Sequence, residues 1–325
     1  MSTTELDPRL KALSYSSTTL LHSCPRKYQL YKCGAPTEED SGSVTFAFGH
    51  AVGEGIQAIV TGLSWEETVW RMFLAWDFDL LAEDTRDRKS FWYAVHAVRK
   101  FAMEASIILA DYELAMIPST TDPTILVPAT ELSFIIQLPD GFHYVGYVDL
   151  VLKHRTTNQL LVLEVKTTKS STVNEATYKN SSQAIGYSVV LDTIATEHST
   201  NDYRVMYLVY KTAAMEFESL IFPKTFTQRA TWIQQMMLDI DLIHIYHDND
   251  MFPMHGESCY NFFRECEYLG QCTLSTERII TPYQAYLQRK QHELDTGKRK
   301  PKTYTINVTL ADLINSQLAK HLLGE

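Results

Sequence analysis

The sequence predicts a mixed α/β fold in which a helical region precedes a small sheet. Apolar and β-branched residues dominate residues 142–153, 160–167 and 203–211, a composition typical of buried strands. Helical periodicity covers residues 181–196, between the second and third of these strands, and also most of residues 44–112. A helix that connects strands indicates a layered core, with the sheet covered by helices.

Length and composition limit the classes of protein to consider. The chain has 325 residues, of which 45% are hydrophobic, and a formal net charge of −10, so it can form one large domain or two ordinary ones. The acidic balance argues against a protein that binds nucleic acid over its whole surface, although it permits a local basic groove. No apolar run approaches the ~20 residues of a membrane span, and the first residues lack an export signal. We therefore expect a soluble cytoplasmic protein with no membrane partner.

The first third of the chain is predicted to be helical. Ser16 or Ser17 can cap a first helix, and Pro25 marks a kink or a second helix start. Residues 34–43 have loop composition, and helical periodicity then continues from Val44 to about Tyr112. The aromatic residues of this region favour core packing over a base-stacking platform; they are Trp65, Trp70, Phe73, Trp76, Phe91, Trp92 and Phe101.

The remaining elements follow from hydrophobic pattern and turn residues. The predicted strands are Glu131–Gln137, Phe142–Lys153, Leu160–Thr167, Tyr203–Lys211 and Glu216–Phe222. Residues 154–159 form a short polar connection suited to a hairpin. A long helix is expected over Thr227–His247, and the tail is expected to contain a helical stretch, a basic patch at Lys298–Lys302 and a last amphipathic helix over Asn307–Leu323.

Two neighbouring strands carry charged residues where apolar ones are expected. Side chains alternate across a strand, so Glu164 and Lys166 share a face, whereas Val165 points away from it. Asp149 lies within the preceding apolar strand, where an unpaired carboxylate would be costly. An antiparallel hairpin places these groups on one surface. The pattern therefore predicts a divalent-cation site with a lysine beside it.

Several short motifs occur in the order found in one nuclease family. They are C-P-R-K-Y at Cys24–Tyr28, Phe48-Gly-His50, G-x-x-D at Gly146–Asp149, E-x-K at Glu164–Lys166, Q-x-x-x-Y at Gln183–Tyr187, and a final cysteine cluster. Together these motifs resemble the PD-(D/E)XK nuclease superfamily. The resemblance is closest to the RecB-like exonuclease branch, which includes CRISPR-associated adaptation nucleases and the AddB nuclease domain.

The resemblance implies a restriction-endonuclease-like αβββαβ core with a helical insertion near the N-terminus and a C-terminal iron–sulfur-stapled region. The implied nuclease domain covers residues 13–275 and is followed by a basic and helical tail over 276–325. Within the domain, the resemblance implies a helical insertion at 44–115, a catalytic α/β core at 128–225 and the cysteine cluster at 255–275.

The resemblance also implies roles for the site residues. Asp149, Glu164, His50 and the carbonyl of Val165 would hold Mg²⁺ or Mn²⁺, and the imidazole hints that Mn²⁺ works at least as well as Mg²⁺. Lys166 would orient the attacking water or stabilise charge in the transition state.

The resemblance assigns two further residues to the site, and the sequence leaves a third open. In the family, Gln183 and Tyr187 help to hold the DNA strand. Glu131 is either a second acid near the metals or an exposed glutamate at a strand edge.

The cysteines are few and clustered. Cys259, Cys266 and Cys272 have the spacing C-x₆-C-x₅-C, and clustered thiols in a reducing compartment indicate a metal site rather than disulfides. The family resemblance supplies Cys24 as a fourth ligand. Four thiolates suit zinc or a [4Fe–4S] cluster, and the spacing argues against zinc, which usually has C-x₂₋₄-C pairs. Cys33 is expected to be an ordinary buried thiol.

Two functional hypotheses follow. The first is a metal-dependent DNA exonuclease of the kind found in phages and mobile elements. It would act on DNA ends or single strands in recombination, repair or CRISPR-type processing, with two-metal-type hydrolysis and recombination or CRISPR proteins as partners. The second is a catalytically weak adaptor that binds DNA ends within a larger recombination complex. A metal-dependent cleavage assay on DNA distinguishes the two.

Overall fold

A computed structural model describes residues 5–35, 44–78, 88–119, 122, 124–194, 202–261, 264–297, 302 and 304–315. The chain divides into two compact units built from interleaved segments. Unit 1 comprises residues 1–40, 133–146 and 233–310, and unit 2 comprises residues 41–132, 147–232 and 311–325. In the described ranges, no helix combines the length and apolar character that crossing a bilayer requires.

Helices and short strands make up most of the described chain. The helices are α1 Tyr15–Ser23, α2 Pro25–Lys32, α3 Val44–Val60, α4 Trp65–Ala75, α5 Phe91–Ile108, α6 Glu175–Lys179, α7 Ser182–Ile194, α8 Phe226–Asp248, α9 Thr276–Ile279, α10 Tyr283–Asp295 and α11 Leu310–Asn315. The strands are β1 Ala12–Leu13, β2 Tyr112–Leu114, β3 Met116–Pro118, β4 Leu126–Pro128, β5 Thr130–Gln137, β6 His143–His154, β7 Leu160–Thr168, β8 Asp202–Lys211, β9 Glu216–Thr225, β10 Tyr260–Asn261, β11 Arg264–Glu265 and β12 Ile306–Thr309.

Unit 2 contains a mixed sheet covered by helices. The second part of β6 pairs with β7 as an antiparallel hairpin, β7 pairs with β8 in parallel, and β8 pairs with β9 antiparallel. The helix α7 lies in the connection between the parallel strands β7 and β8, as a crossover requires. The mixed sheet and its crossover helix confirm the predicted α/β class.

One hydrophobic core in unit 2 joins the sheet to the helical insertion. Buried side chains from α3, α4 and α5 pack with those of β6, β7 and β8. Gly55 permits close approach of α3 to its neighbours, since a Cβ there would lie 2.5 Å from Cγ2 of Val98 and 2.8 Å from Sδ of Met72. Close packing of this kind fixes α3 against α4 and α5.

Unit 1 brings the first and last parts of the chain together. The strand β1 pairs in parallel with the start of β6, and β12 pairs in parallel with the second part of β5. Gly146 lies on β6 where a Cβ would approach Cζ of Phe134 to 2.5 Å, so only glycine fits against that ring. Leu30, Ala35, Tyr268 and Ile279 form a small separate core.

The N-terminal helix begins earlier than predicted. Ser14, rather than Ser16 or Ser17, caps α1, and its side chain accepts a hydrogen bond from the backbone N–H of Ser17 in a capping box. Pro25 occupies the first position of α2, where its missing N–H costs nothing, so the predicted second start is confirmed.

The predicted last helix over Asn307–Leu323 is wrong in its first part. Residues Ile306–Thr309 form the strand β12, because β-branched side chains at Ile306 and Val308 are buried beside β5. The helix α11 follows only over Leu310–Asn315. Residues 316–325 and most of the predicted basic patch Lys298–Lys302 lie outside the described residues.

The prediction that the aromatic residues of the insertion belong to the core holds for only some of them. Phe101 is fully buried and Trp76 nearly so. Trp70, Phe73 and Trp92 are instead exposed, on helix faces turned away from the core of unit 2. Helical periodicity alone did not show which rings face the core, because the insertion is aromatic on more than one face.

Candidate active site

The hairpin of β6 and β7 carries the charged residues that the sequence singled out. Leu150 pairs with Leu163 in this hairpin, so one further step of the antiparallel register places Asp149 opposite Glu164. The backbone N–H of Val165 donates a hydrogen bond to the Asp149 carboxylate. The expected proximity of the two carboxylates is thus a direct consequence of strand register.

A chain of hydrogen bonds extends from Glu164 to α7. Nζ of Lys166 lies 2.5 Å from Oε1 of Glu164 and donates to Oε1 of Gln183 at 3.1 Å. The side-chain amide of Gln183 donates in turn to the hydroxyl of Tyr187 at 2.8 Å. Glu164 and Tyr187 are buried, whereas about a third of the Lys166 side chain is exposed. The structure therefore brings four predicted site residues together and leaves the lysine accessible.

The electrostatics of Asp149 show a concentration of negative charge. Burial, together with the charges of Glu164 and Glu131, raises the pKa of Asp149 to about 7, although Lys166 acts in the opposite direction. The second carboxylate oxygen of Glu164, Oε2, is buried and has no hydrogen-bond partner among the described residues. Buried carboxylates with these surroundings destabilise the folded protein unless a cation neutralises them.

The helix α3 contributes two residues near these acids. His50 is mostly exposed, and its Nε2 lies 3.9 Å from Oε1 of Glu54, one turn further along the same face. Burial, and then a hydrogen bond to Glu131, raise the pKa of Glu54 to about 7. Glu131 itself has a positive φ of 47° at the start of β5, a conformation that costs energy for any residue except glycine.

Glu54 is a candidate site residue that the sequence analysis missed. Its spacing of four residues from His50 on a helical segment was a usable signal, because such residues share a face. Glu131 was left open between an acid near the site and an exposed strand-edge residue. The structure shows both properties, since Glu131 is exposed and its charge also raises the pKa of Asp149.

The oxygen-rich set suits a hard divalent cation. A cation between the two carboxylates would give the unpaired oxygen of Glu164 a partner. It would also offset the burial and negative charge that raise the pKa of Asp149. Among the described residues, however, no group of three or more His, Cys, Asp or Glu side chains is placed to hold a metal ion. Mg²⁺ needs only one or two protein carboxylates, because water and substrate phosphate complete its octahedral shell.

Comparison with known proteins decides the family. The family model of the PD-(D/E)XK nuclease superfamily matches residues 12–273. This chain belongs to that superfamily. Nucleases of this superfamily generally use Mg²⁺ or Mn²⁺, in agreement with the oxygen ligands of the hairpin. The search of curated proteins found no match.

Solved structures similar to this nuclease are distant in sequence. One is a protein from Eubacterium rectale described as a "putative exonuclease", with 11% identity and a TM-score of 0.43, over 80% of this chain and 90% of that one. Another is the protein SSO0001, with 12% identity and a TM-score of 0.26, over 82% of this chain and 98% of that one.

All five cysteines of the nuclease lie in unit 1, and four of them form one group. Burial raises the pKa of Cys272, and the charges of Cys24, Cys259 and Cys266 raise it further, so these three thiols lie within electrostatic range of Cys272. Cys33 is buried elsewhere in unit 1, close to Asp7. All five cysteines are free thiols.

A buried arginine ties the two ends of this cysteine group together. Arg26 follows Cys24 in the first turn of α2, and its Nε donates to the carbonyl of Cys272 at 3.2 Å. Its Nη2 donates to the carbonyl of Leu274 at 3.0 Å, and its Nη1 donates to Oε1 of Gln29 at 2.6 Å. These bonds give the arginine of the C-P-R-K-Y motif a structural purpose that its sequence position did not reveal.

Proposed function

We propose that this chain is a divalent-metal-dependent deoxyribonuclease that hydrolyses phosphodiester bonds as an exonuclease, at DNA ends or on single strands. The observation that carries the proposal is the linked set Asp149, Glu164, Lys166, Gln183 and Tyr187, in which two adjoining carboxylates stand beside an accessible ammonium group. Residues 13–275 would form the nuclease domain.

Asp149 and Glu164 would hold Mg²⁺ or Mn²⁺, assisted by the carbonyl of Val165 and by His50. Glu54 adds a further carboxylate on the same face of α3 as His50. A bound divalent ion supplies a nucleophilic hydroxide at neutral pH and charge stabilisation at the scissile phosphate.

Lys166 would act on the phosphate directly. Glu164 holds its ammonium group on one side and Gln183 on the other, so Nζ is fixed in position while part of the side chain faces solvent. A fixed positive charge of this kind stabilises the extra negative charge that develops as water attacks phosphorus. Tyr187 would orient Gln183 through their hydrogen bond and thereby keep the lysine aligned.

The cysteine group would carry a second, structural cofactor. Four thiols from Cys24, Cys259, Cys266 and Cys272 can ligate a [4Fe–4S] cluster, which would join the start of the nuclease domain to its end. The support for this assignment is the electrostatic influence of the other three thiols on Cys272 and the anchoring of Cys272 by Arg26. With such a cluster the chain would fit the RecB-like branch, and roles in recombination, repair or CRISPR-type processing would follow from that placement.

The test is digestion of labelled DNA by purified protein. Linear, nicked and circular DNA, single- and double-stranded, would be incubated with Mg²⁺ or Mn²⁺, and we expect cleavage of linear DNA from its ends. Glu164→Gln and Asp149→Asn should each lower the rate by on the order of a hundred-fold or more, because each removes a metal ligand. Glu113→Gln, which alters an exposed carboxylate paired with Lys153, is the matched control and should cleave normally.

Near-normal cleavage by either acid variant at saturating Mn²⁺ would rule out the assigned site. If the wild-type protein binds DNA ends tightly but cleaves no substrate with either metal, the adaptor hypothesis replaces the nuclease hypothesis.

A further inference from the structure

Several large aromatic side chains of unit 2 are exposed on α4, just after it, and at the start of α5. Trp70 is 59% exposed, Phe73 43%, Phe78 52% and Trp92 74%. Isolated exposed aromatics are common on proteins, but a contiguous group of this size usually marks a binding surface. We call Trp70, Phe73, Phe78, Phe91 and Trp92 the aromatic platform.

The rings of the aromatic platform form one connected group on a fixed base. The rings of Trp70 and Phe73 are stacked nearly parallel, with 10° between their planes and 5.6 Å between centroids. Phe73 also contacts Phe78 at 4.5 Å and Phe91 at 6.1 Å, and Phe91 contacts Trp92 at 5.5 Å. Phe91 in turn packs against the buried Trp76, so the outer rings rest on the core of the unit.

Arg71, an exposed cation on α4, relates the platform to the candidate active site. Arg71, the neighbour of Trp70 on α4, acts on the carboxyl of Glu54 and favours its ionised form. Glu54 hydrogen-bonds to Glu131, whose charge reaches Asp149. Arg71 thus belongs both to the surroundings of these acids and to the helix that carries Trp70 and Phe73.

Charge on α5 also favours a nucleic acid. Trp92, His96 and Arg99 are spaced at i, i+4 and i+7 and are all exposed, so they occupy one face of the helix. That face therefore combines a flat aromatic ring with groups that attract phosphate. Proteins that bind single strands without sequence preference use this combination of stacking rings and cationic side chains.

We propose that the aromatic platform binds unpaired bases of a single-stranded DNA substrate by stacking, with Arg71 and Arg99 contacting its phosphates. This inference rests on the proposed nuclease function and specifies how that site takes its substrate. Trp70 and Trp92, the most exposed rings of the platform, provide the stacking faces, and a base would extend the existing stack of Trp70 on Phe73. Double-stranded DNA, whose bases are already stacked, would not use the platform.

The test measures binding in the absence of cleavage. Full-length protein carrying Glu164→Gln would be titrated, with EDTA present, into a fluorescently labelled oligothymidylate, and anisotropy would give Kd. Trp70→Ala and Trp92→Ala should each weaken binding by on the order of ten-fold or more. Ile107→Ala, at an exposed apolar position further along α5, should leave Kd unchanged.

Three comparisons separate stacking from simple apolar contact. Trp92→Phe should retain most of the affinity, whereas Trp92→Leu should lose it, because leucine has no flat π face. An abasic oligonucleotide of equal length should bind as weakly to the parent protein as to Trp92→Ala. The tryptophan variants should leave the affinity for duplex DNA unchanged.

Equal affinity of the Trp92→Leu and parent proteins, or equal affinity of abasic and normal strands, would overturn the proposal and assign the platform to a protein partner. Wild-type protein that fails to cleave DNA but shows ring-dependent binding would reject the nuclease function alone. Wild-type protein that cleaves normally but binds strands independently of Trp70 and Trp92 would reject the platform alone.

Discussion

The ammonium group of Lys166 lies 2.5 Å from Oε1 of Glu164, on the face of β7 that both side chains share. The pair differs from a surface ion pair in one respect: Glu164 is buried, and its other oxygen lacks a hydrogen-bond partner among the described residues. One oxygen of this carboxylate contacts the lysine, and the other has no hydrogen bond among the described residues. That second oxygen is suited to bind a metal ion.

The contact between Lys166 and Gln183 predicts that α7 tunes the rate of cleavage. Gln183→Leu should lower kcat by on the order of ten-fold, because the ammonium group loses the hydrogen bond to Gln183 that helps to fix it. KM for DNA should change little. Single-turnover kinetics of the purified variant would measure both quantities.

Tyr187→Phe serves as the graded comparison for Gln183→Leu. It removes only the hydroxyl that accepts a hydrogen bond from Gln183, so it should lower kcat less than Gln183→Leu. A Gln183→Leu variant that raises KM while keeping kcat would show that Gln183 holds DNA and does not position the lysine.

The helix α3 offers two candidate metal ligands one turn apart, and substitution can rank them. Glu54 is hydrogen-bonded to Glu131, one of the acids near Asp149, whereas His50 is mostly exposed. Glu54→Gln should weaken Mn²⁺ binding in calorimetry at least as much as His50→Gln. Glu66→Gln, at an exposed position on α4, should have no effect. A large effect of His50→Gln alone would assign the metal to the histidine, as the family resemblance implies.

The cysteine group predicts which substitutions remove iron. Anaerobically purified protein should contain iron and sulfide, and Cys24→Ser should lose both together with thermal stability. The stability loss follows because Cys24 and Cys259 are more than two hundred residues apart, and a cross-link that closes a long loop can contribute several kcal/mol. Cys33→Ser, outside the group, should keep its iron. A colourless anaerobic preparation with one equivalent of zinc would contradict the assignment.

Arg26→Lys gives a finer test of the same group. Lysine keeps the positive charge but cannot form the separate bonds that Arg26 makes to the carbonyls of Cys272 and Leu274. The variant should bind iron but lose it faster on exposure to air, as followed by visible absorption. Unchanged air stability would show that these bonds do not hold the cluster region together.

Lys224 predicts a pH dependence of stability. Its side chain is fully buried, Nζ donates to the carbonyl of Lys179 at 2.6 Å, and burial lowers its pKa from the ordinary 10.5 to about 8. Between these two pH values the unfolded chain binds more protons at Lys224 than the folded protein does. The contribution of Lys224 to the free energy of unfolding therefore increases as pH rises from about 8 to 10.5. This contribution is lost as pH falls through 8.

Denaturant titrations from pH 7 to pH 10.5 on wild type and Lys224→Met would measure this contribution, and the difference between the two proteins should shift in favour of wild type as pH rises across that interval. A difference that does not change with pH would show that Lys224 titrates normally.

The sequence determined the strands, the hairpin and the set of residues on its charged face. Strand alternation is a local property, so Glu164 and Lys166 could be assigned to one face from their spacing alone. The same holds for Gln183 and Tyr187, which share a face of α7 because they are four residues apart.

Only the tertiary structure decided which distant groups join this face. The pairing of Glu54 with Glu131, the hydrogen bond from Lys166 to α7 and the anchoring of Cys272 by Arg26 each connect segments far apart in the chain. The exposure of Trp70 and Trp92 was decided in the same way, because an aromatic residue in an amphipathic segment faces the core or the solvent according to what packs against its helix. Local pattern fixes the face of a strand or helix on which a residue lies, and packing fixes what that face meets.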